Sequence, residues 1–215
     1  DGDGKPDLAI SNAGSNTVSV LRNISTTGSI AFASKVDFVT GTSPYHRVAI
    51  GDLDRDGKPD LVTTSSNSNP PVISVLRNTS SPGSITASSF AAKVNFLAGS
   101  TPYGVSIADL DGDGKLDLAI PNQVGNSVSV FKNTSSPGSI TASSFASKVD
   151  FSTGLNPYDM VIGDLDGDGK PDLVVASSNG ISVWRNTIAS SSGPVAYYPF
   201  NGNANDASGN GKNGT

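Results

Sequence analysis

A nine-residue stretch occurs three times, as Asp52-Leu-Asp-Arg-Asp-Gly-Lys-Pro-Asp60, Asp109-Leu-Asp-Gly-Asp-Gly-Lys-Leu-Asp117 and Asp164-Leu-Asp-Gly-Asp-Gly-Lys-Pro-Asp172. A shortened copy, Asp1-Gly-Asp-Gly-Lys-Pro-Asp7, opens the chain. Each full copy carries carboxylates at positions 1, 3, 5 and 9 and a glycine at position 6 (Gly57, Gly114, Gly169), where a tight wrap favours a residue without Cβ. Carboxylates this close repel one another unless a cation sits among them. Ca2+ takes roughly six to eight oxygens. Four Asp side chains, the main-chain carbonyl at position 7 (Lys58, Lys115 or Lys170) and water supply such a shell. The plainer reading is a solvated Asp-Gly turn; recurrence of all four Asp at fixed spacing speaks against it.

An EF-hand would need a bidentate Glu at position 12 and flanking helices. Position 12 is Thr63, Ile120 or Val175, and the chain contains no Glu. The residues directly after each loop, Leu61-Val-Thr, Leu118-Ala-Ile or Leu173-Val-Val, read as a strand. A calcium loop between two strands remains.

Self-similarity extends beyond the loops, which are offset by 53, 57 and 55 residues. Thr17-Val-Ser-Val-Leu-Arg-Asn23 returns as Val72-Ile-Ser-Val-Leu-Arg-Asn78, Ser127-Val-Ser-Val-Phe-Lys-Asn133 and Gly180-Ile-Ser-Val-Trp-Arg-Asn186. A linker, Ser80 to Ala91, is repeated residue for residue at 135–146. Within the unit 48–98 four short strands are predicted: Val48 to Gly51, Leu61 to Thr64, Val72 to Leu76 with alternating burial, and Ala91 to Leu97 with Phe90, Val94 and Phe96 as apolar positions. Turns at 41–45, 99–103 and 154–158 lead into the next unit. Repeated antiparallel four-stranded units of this length are the pattern of a β-propeller. The expected fold is all-β, a partial β-propeller of about three and a half blades with Ca2+ loops between the first and second strands.

Composition narrows the function classes. All 19 acidic residues are Asp, and fifteen of them lie in the four loops, so the net charge of −5 is mostly a property of those loops. Only 14 Lys and Arg are present, with no basic stretch, which argues against a nucleic-acid partner. There is no cysteine to build disulfides or serve as a nucleophile. No apolar run approaches the roughly 20 residues needed to cross a bilayer. The calcium loops and the Ser, Thr, Asn and Gly richness suit a secreted or surface protein. The chain opens inside a loop, so further blades are expected upstream in a longer protein.

The loop pattern Asp-x-Asp-x-Asp-Gly-x-x-Asp, placed after a strand in units of this length, resembles the FG-GAP (VCBS) repeat of integrin-alpha-like β-propellers. That resemblance implies rings that are commonly seven-bladed, used for adhesion or as accessory modules of secreted bacterial proteins. It also implies metal ligands at Asp52, Asp54, Asp56 and Asp60, at Asp109, Asp111, Asp113 and Asp117, and at Asp164, Asp166, Asp168 and Asp172, with the Lys58, Lys115 and Lys170 carbonyls. The opening copy lacks its position-1 Asp, so Asp1, Asp3, Lys5 and Asp7 make a truncated site. The Phe-Gly and Gly-Ala-Pro motifs of the family are mostly replaced by Pro-Tyr turns at 43–45, 101–103 and 156–158, which suits the bacterial branch.

Residues 1–188 are thus assigned to blades and 189–194 to a linker. Val195 to Thr215, with Tyr197-Tyr-Pro-Phe-Asn-Gly202, resembles the start of a laminin-G-like, concanavalin A-like jelly roll, to which Asp206 could contribute a metal ligand. The leading functional expectation is a non-catalytic calcium-binding scaffold or binding module, whose partner is an extracellular protein or polysaccharide. The alternatives are a carbohydrate-binding adhesin module and an accessory module of a polysaccharide-active enzyme. No catalytic residue is predicted: His46, the single histidine, belongs to no repeated constellation, and Asp37, Asp150 and Asp159 are read as solvated. Tyr45, Tyr103 and Tyr158 recur as packing residues, and Trp184 aligns with core positions Leu21, Leu76 and Phe131. The Asn-x-Ser/Thr motifs at Asn23, Asn78, Asn133 and Asn213 are read as by-products of Ser/Thr-rich turns.

Overall fold

The computed structural model describes residues 1–44 and 47–188. Tyr45, His46, the linker at 189–194 and the jelly-roll reading of 195–215, with Asp206 and Asn213, lie outside the described residues.

The described residues form fourteen strands in four antiparallel sheets. The first sheet holds β1 (Leu8–Asn12), β2 (Thr17–Leu21) and β3 (Val36–Val39). The second holds β4 (Ala49–Gly51), β5 (Asp60–Ser65), β6 (Val72–Leu76) and β7 (Val94–Leu97). The third holds β8 (Ser106–Ala108), β9 (Asp117–Asn122), β10 (Ser127–Phe131) and β11 (Val149–Ser152). The last holds β12 (Pro157–Gly163), β13 (Asp172–Ser177) and β14 (Gly180–Trp184). Each sheet is a meander, every strand pairing with its sequence neighbour. The first strands of successive blades lie together, β4 beside β8 and β8 beside β12. This is an all-β chain of partial propeller blades.

Each acidic loop closes the hairpin between a blade's first and second strands. Gly51 pairs with Asp60, Ala108 with Asp117 and Gly163 with Asp172. The loop's last residue is therefore also the first residue of the next strand. The fourth strand is shorter than expected, opening at Val94. Phe90 lies in the preceding excursion, where Asn78 bridges to it, and its ring packs edge-on against Phe38 of the preceding blade with centroids 4.8 Å apart. Phe145 meets Phe96 in the same way at 5.1 Å. The repeated "linker" is thus an ordered arm that reaches back over the previous blade.

Burial on β6 does not alternate: all five residues are buried. Ile73 and Val75 do share a face, packing with Leu118, Ile120 and Phe131 of the third blade. Leu61 and Leu76 on the opposite face pack with Val18, Val20 and Phe38 of the first. A blade with a neighbour on both sides has no solvent face, so the period-2 pattern separates two interfaces rather than core from water. Gly99 shows how closely the connecting turn lies on the next blade: a Cβ there would sit 2.4 Å from the Asn122 side chain. Trp184 packs beside the cluster of Leu110, Val128, Met160 and Val175, partly buried as an edge residue of that core.

Ile73 and Ile181 occupy the same repeat position, yet Ile73 is 0% exposed and Ile181 72%. Ile73→Ala is therefore expected to cost about 2–5 kcal/mol in urea unfolding, whereas Ile181→Ala changes stability by no more than about 0.5 kcal/mol.

Candidate metal centre

The backbone of each loop is wound around its position-1 carboxylate. Asp52 accepts from the Asp56 and Gly57 amides at 3.1 and 2.9 Å. Asp109 accepts from Gly112, Asp113 and Gly114, and Asp164 from Gly167, Asp168 and Gly169. This wrap needs left-handed backbone at position 6 and also at position 4. Gly112 and Gly167 have φ of 72° and 78°, and Arg55 adopts 55° in the remaining full copy. The sequence conceals the demand at position 4, because Arg55 breaks the glycine pattern there.

In all three full loops, oxygens from positions 1, 3 and 9 come within 4.8 Å of one another: Asp52, Asp54 and Asp60; Asp109, Asp111 and Asp117; Asp164, Asp166 and Asp172. Position 5 (Asp56, Asp113, Asp168) lies outside these groups and turns one oxygen to the position-7 amide, at 2.9–3.0 Å. Lys58, Lys115 and Lys170 therefore engage the loop through N–H. The ammonium groups of Lys58 and Lys115 reach the carbonyls of Ser80 and Ser135. In the opening copy Asp1 and Asp3 occupy positions 3 and 5, and Lys5 donates its amide to Asp3.

A cation fits this donor set. The Asp54 side chain is 0% exposed and neither of its oxygens has a hydrogen-bond partner. A buried carboxylate without hydrogen bonds is strongly disfavoured unless positive charge or protons compensate it, and the Arg77 guanidinium approaches Asp54 only to 3.7 Å. Burial, followed by the Asp56 charge, holds its carboxyl above the ordinary carboxylate range. Burial pushes Asp60 up to about 7 and Asp117 up to about 6, against amide hydrogen bonds that pull the other way. All-oxygen, multiply anionic donors match a hard divalent ion, Ca2+ above all.

The position-9 carboxylates do more than face this centre. One oxygen of Asp60 accepts from the Leu53 amide at 3.0 Å and the other from the Asn78 amide at 2.8 Å. Asp117 takes Leu110 and Asn133, and Asp172 takes Leu165 and Asn186. Asp7 takes Asn23. The Asn side chains complete a clamp, donating to the position-8 carbonyl (Pro6, Pro59, Leu116, Pro171). Their amide oxygens accept from the N–H two residues on (Ser25, Ser80, Ser135, Ile188). Asn133 also donates to Leu53 O at 2.8 Å and Asn186 to Leu110 O at 2.7 Å, crossing to the loop of the preceding blade. The Asn-x-Ser/Thr pattern thus has a structural cause: Asn78 and Asn133 are buried loop clamps. Recurrence of this Asn in all four units is the sequence signal that marks it.

The three aspartates expected to be solvated have solvent-exposed side chains, and each also has a surface ion-pair partner. Asp37 meets Lys35 and Ser19, Asp150 meets Lys148 and Ser129, and Asp159 meets Arg47 at 2.9 Å. Arg47, Tyr103, Tyr158 and Asp159 line part of a cavity of about 290 Å3 where the first strands of the blades converge.

This geometry can be tested at the clamp and at the buried carboxylate. Asn133→Ala strips a donor from Leu116 O and the acceptor from the Ser135 amide, while Leu53 O keeps the Ser135 hydroxyl, so denaturant unfolding should show a loss of about 1–3 kcal/mol for each group left unsatisfied. In chelator, Asp60 holds its proton up to about 7 in the folded chain and releases it near 3.8 when unfolded. The folded state then binds more protons across that window, so stability falls as pH rises from about 4 to about 7 and is restored on acidification. A pH series of chelator melts that is flat or rises across this window contradicts the burial of Asp60.

A search of curated proteins finds no match. The FG-GAP-like repeat model matches residues 1–63, 122–175 and 164–212, and the FG-GAP repeat model matches 45–85 and 101–139. Every full acidic loop falls inside these matches, and the last one runs on through the stretch that resembles a jelly roll. With FG-GAP-like repeats matching well over half of its residues, and a hairpin-closing acidic loop in each repeat, the chain belongs to the FG-GAP-like repeat family.

Proposed function

We propose that this chain is a non-catalytic, calcium-clipped scaffold or binding module of a secreted or cell-surface bacterial protein. The observation that carries the metal part is the buried carboxylate of Asp54, without a hydrogen bond, beside Asp52 and Asp60. Positions 1, 3 and 9 hold the ion; position 5 and the carbonyls of Lys58, Lys115 and Lys170 complete the shell in the family's manner. When bound, Ca2+ neutralises the converging carboxylates. The chain's own part is to fix those groups before the ion arrives. Position 1 is held by loop amides, and position 9 by the Leu and Asn amides.

Support for a non-catalytic role is the commitment of the acidic residues: the loop Asp serve their clusters, and Asp37, Asp150 and Asp159 are paired with bases. Among the described residues no helix is long and apolar enough to cross a membrane. Residues 195–215 enter this proposal as the opening of a laminin-G-like domain, on their sequence resemblance alone. A second reading, a carbohydrate-binding adhesin or an accessory module of a polysaccharide-active enzyme, draws on the cavity that pairs Tyr103 and Tyr158 with Arg47 and Asp159. Aromatic faces beside polar groups suit sugar rings.

Thermal unfolding in excess Ca2+ against chelator tests the main reading. Calcium at a hundredfold excess over Kd should add about 2.7 kcal/mol for each site lost on unfolding, and calorimetric titration should count three sites. Identical transitions would sink it. Binding of the full-length protein on a glycan array would favour the second reading over bare scaffolding.

A further inference from the structure

One basic residue recurs where each third strand ends, immediately before the clamp Asn: Arg22, Arg77, Lys132 and Arg185. In every unit it folds back onto the loop of its own blade and meets the same two carboxylates. Arg22 lies 2.8 Å from Asp1 and 3.6 Å from Asp3, and Arg77 lies 3.7 Å from Asp54 and 3.2 Å from Asp56. Lys132 contacts Asp111 and stands 3.3 Å from Asp113; Arg185 contacts Asp166 and stands 3.0 Å from Asp168. These are positions 3 and 5 each time. Both Arg and Lys serve, so the common element is the positive charge rather than the forked shape of a guanidinium.

The contact has a geometric correlate. Position 5 is the loop carboxylate outside the converging groups of positions 1, 3 and 9. One of its oxygens holds the position-7 amide while the other faces the strand-end cation. The buried Asp54 side chain has no hydrogen bond, and Arg77 is its ion-pair partner.

We propose that Arg77, Lys132 and Arg185 are internal competitors of calcium: each shields positions 3 and 5 in the metal-free loop and lowers calcium affinity, with the position-5 carboxylate exchanging between the cation and the metal. The inference rests on the calcium reading of the loops. Its chemistry is an exchange of ionic partners, with no covalent step. The competitor keeps the metal-free loop from flying apart through carboxylate repulsion, and the same charge opposes an incoming divalent ion.

The test is calorimetric calcium titration of the full chain and of the variant Arg77→Gln, Lys132→Gln, Arg185→Gln, together with thermal unfolding of both in chelator. Removing one positive charge a few ångströms from each site is expected to tighten calcium binding about tenfold at low salt. The same variant should melt at a lower temperature in chelator. If it does not fold, Arg77→Gln alone carries the test, and Arg77→Lys, which keeps the charge, should retain wild-type affinity. Unchanged or weaker calcium binding in the Gln variants overturns the proposal. Position-5 exchange is read separately in an Asp56→Asn background, where Arg77→Gln should gain much less. An equal gain in both backgrounds overturns the exchange. A wild-type chain that binds no calcium defeats the metal reading itself, an outcome distinct from binding that ignores the strand-end charge.

Discussion

The position-9 carboxylate is the joint on which each blade is assembled. Asp60 begins the second strand, accepts from the Leu53 amide at the head of the loop, and accepts from the Asn78 amide at the end of the third strand. One side chain therefore ties three consecutive parts of a blade. It does so out of contact with water, where hydrogen bonds to a charged acceptor are strong and where its own desolvation is costly. The tie and the strain come from the same burial. A cation at the loop relieves the strain without removing the tie.

The loop also belongs to the seam between blades. Leu53, at loop position 2, is 0% exposed and packs with Phe131 and Phe145 of the next blade, and Leu110 is 5% exposed in the following seam. Leu165, the same position in the last loop, is 58% exposed, since no described blade comes after it. The Leu53 carbonyl accepts from both Asn133 and Ser135, and Gly138 donates its amide to Asp54 O at 2.9 Å. The following blade thus grips the loop by its backbone and its position-2 leucine, while the carboxylates at positions 1, 3 and 9 converge within the loop. Metal binding and blade-to-blade cohesion act on the same nine residues, which makes the loop a coupling element rather than a local clip.

The acidic loops, their place between the first two strands, and the radial repeat are legible in the sequence because each depends on local order: Asp at fixed spacing, a strand on each side, a constant period. The features that escape it depend on neighbours. Burial on both faces of β6 cannot be read from Val72-Ile-Ser-Val-Leu76, since the polar Ser74 is accommodated by the Gly41 amide and Asn95 rather than by water. The fourth strand looks longer in sequence than it is, because Phe90 is as apolar as a strand residue while its partner, Phe38, lies in another blade. The clamp Asn and the strand-end bases are visible as repeats. Their roles need the hairpin to bring residues about 20 positions away onto the loop, as with Arg77 and Asp56 at a separation of 21. Spacing alone groups position 5 with the other carboxylates, and the basic residue it faces carries no signal in the loop's own sequence.

The hydrogen bonds from a blade onto the acidic loop before it run one way: side chains and amides of the later blade donate, and carbonyls of the earlier loop accept. An array built on such directed contacts has polarity, like a row of identical hooks and eyes. A single blade such as β8 to β11 carries both parts: Asn133 donates to the Leu53 carbonyl of the blade before, and the Leu110 carbonyl accepts from Asn186 of the blade after. Copying one blade in tandem would add a unit without inventing an interface, whereas a cut inside an acidic loop would part Asp109 and Asp111 from Asp117.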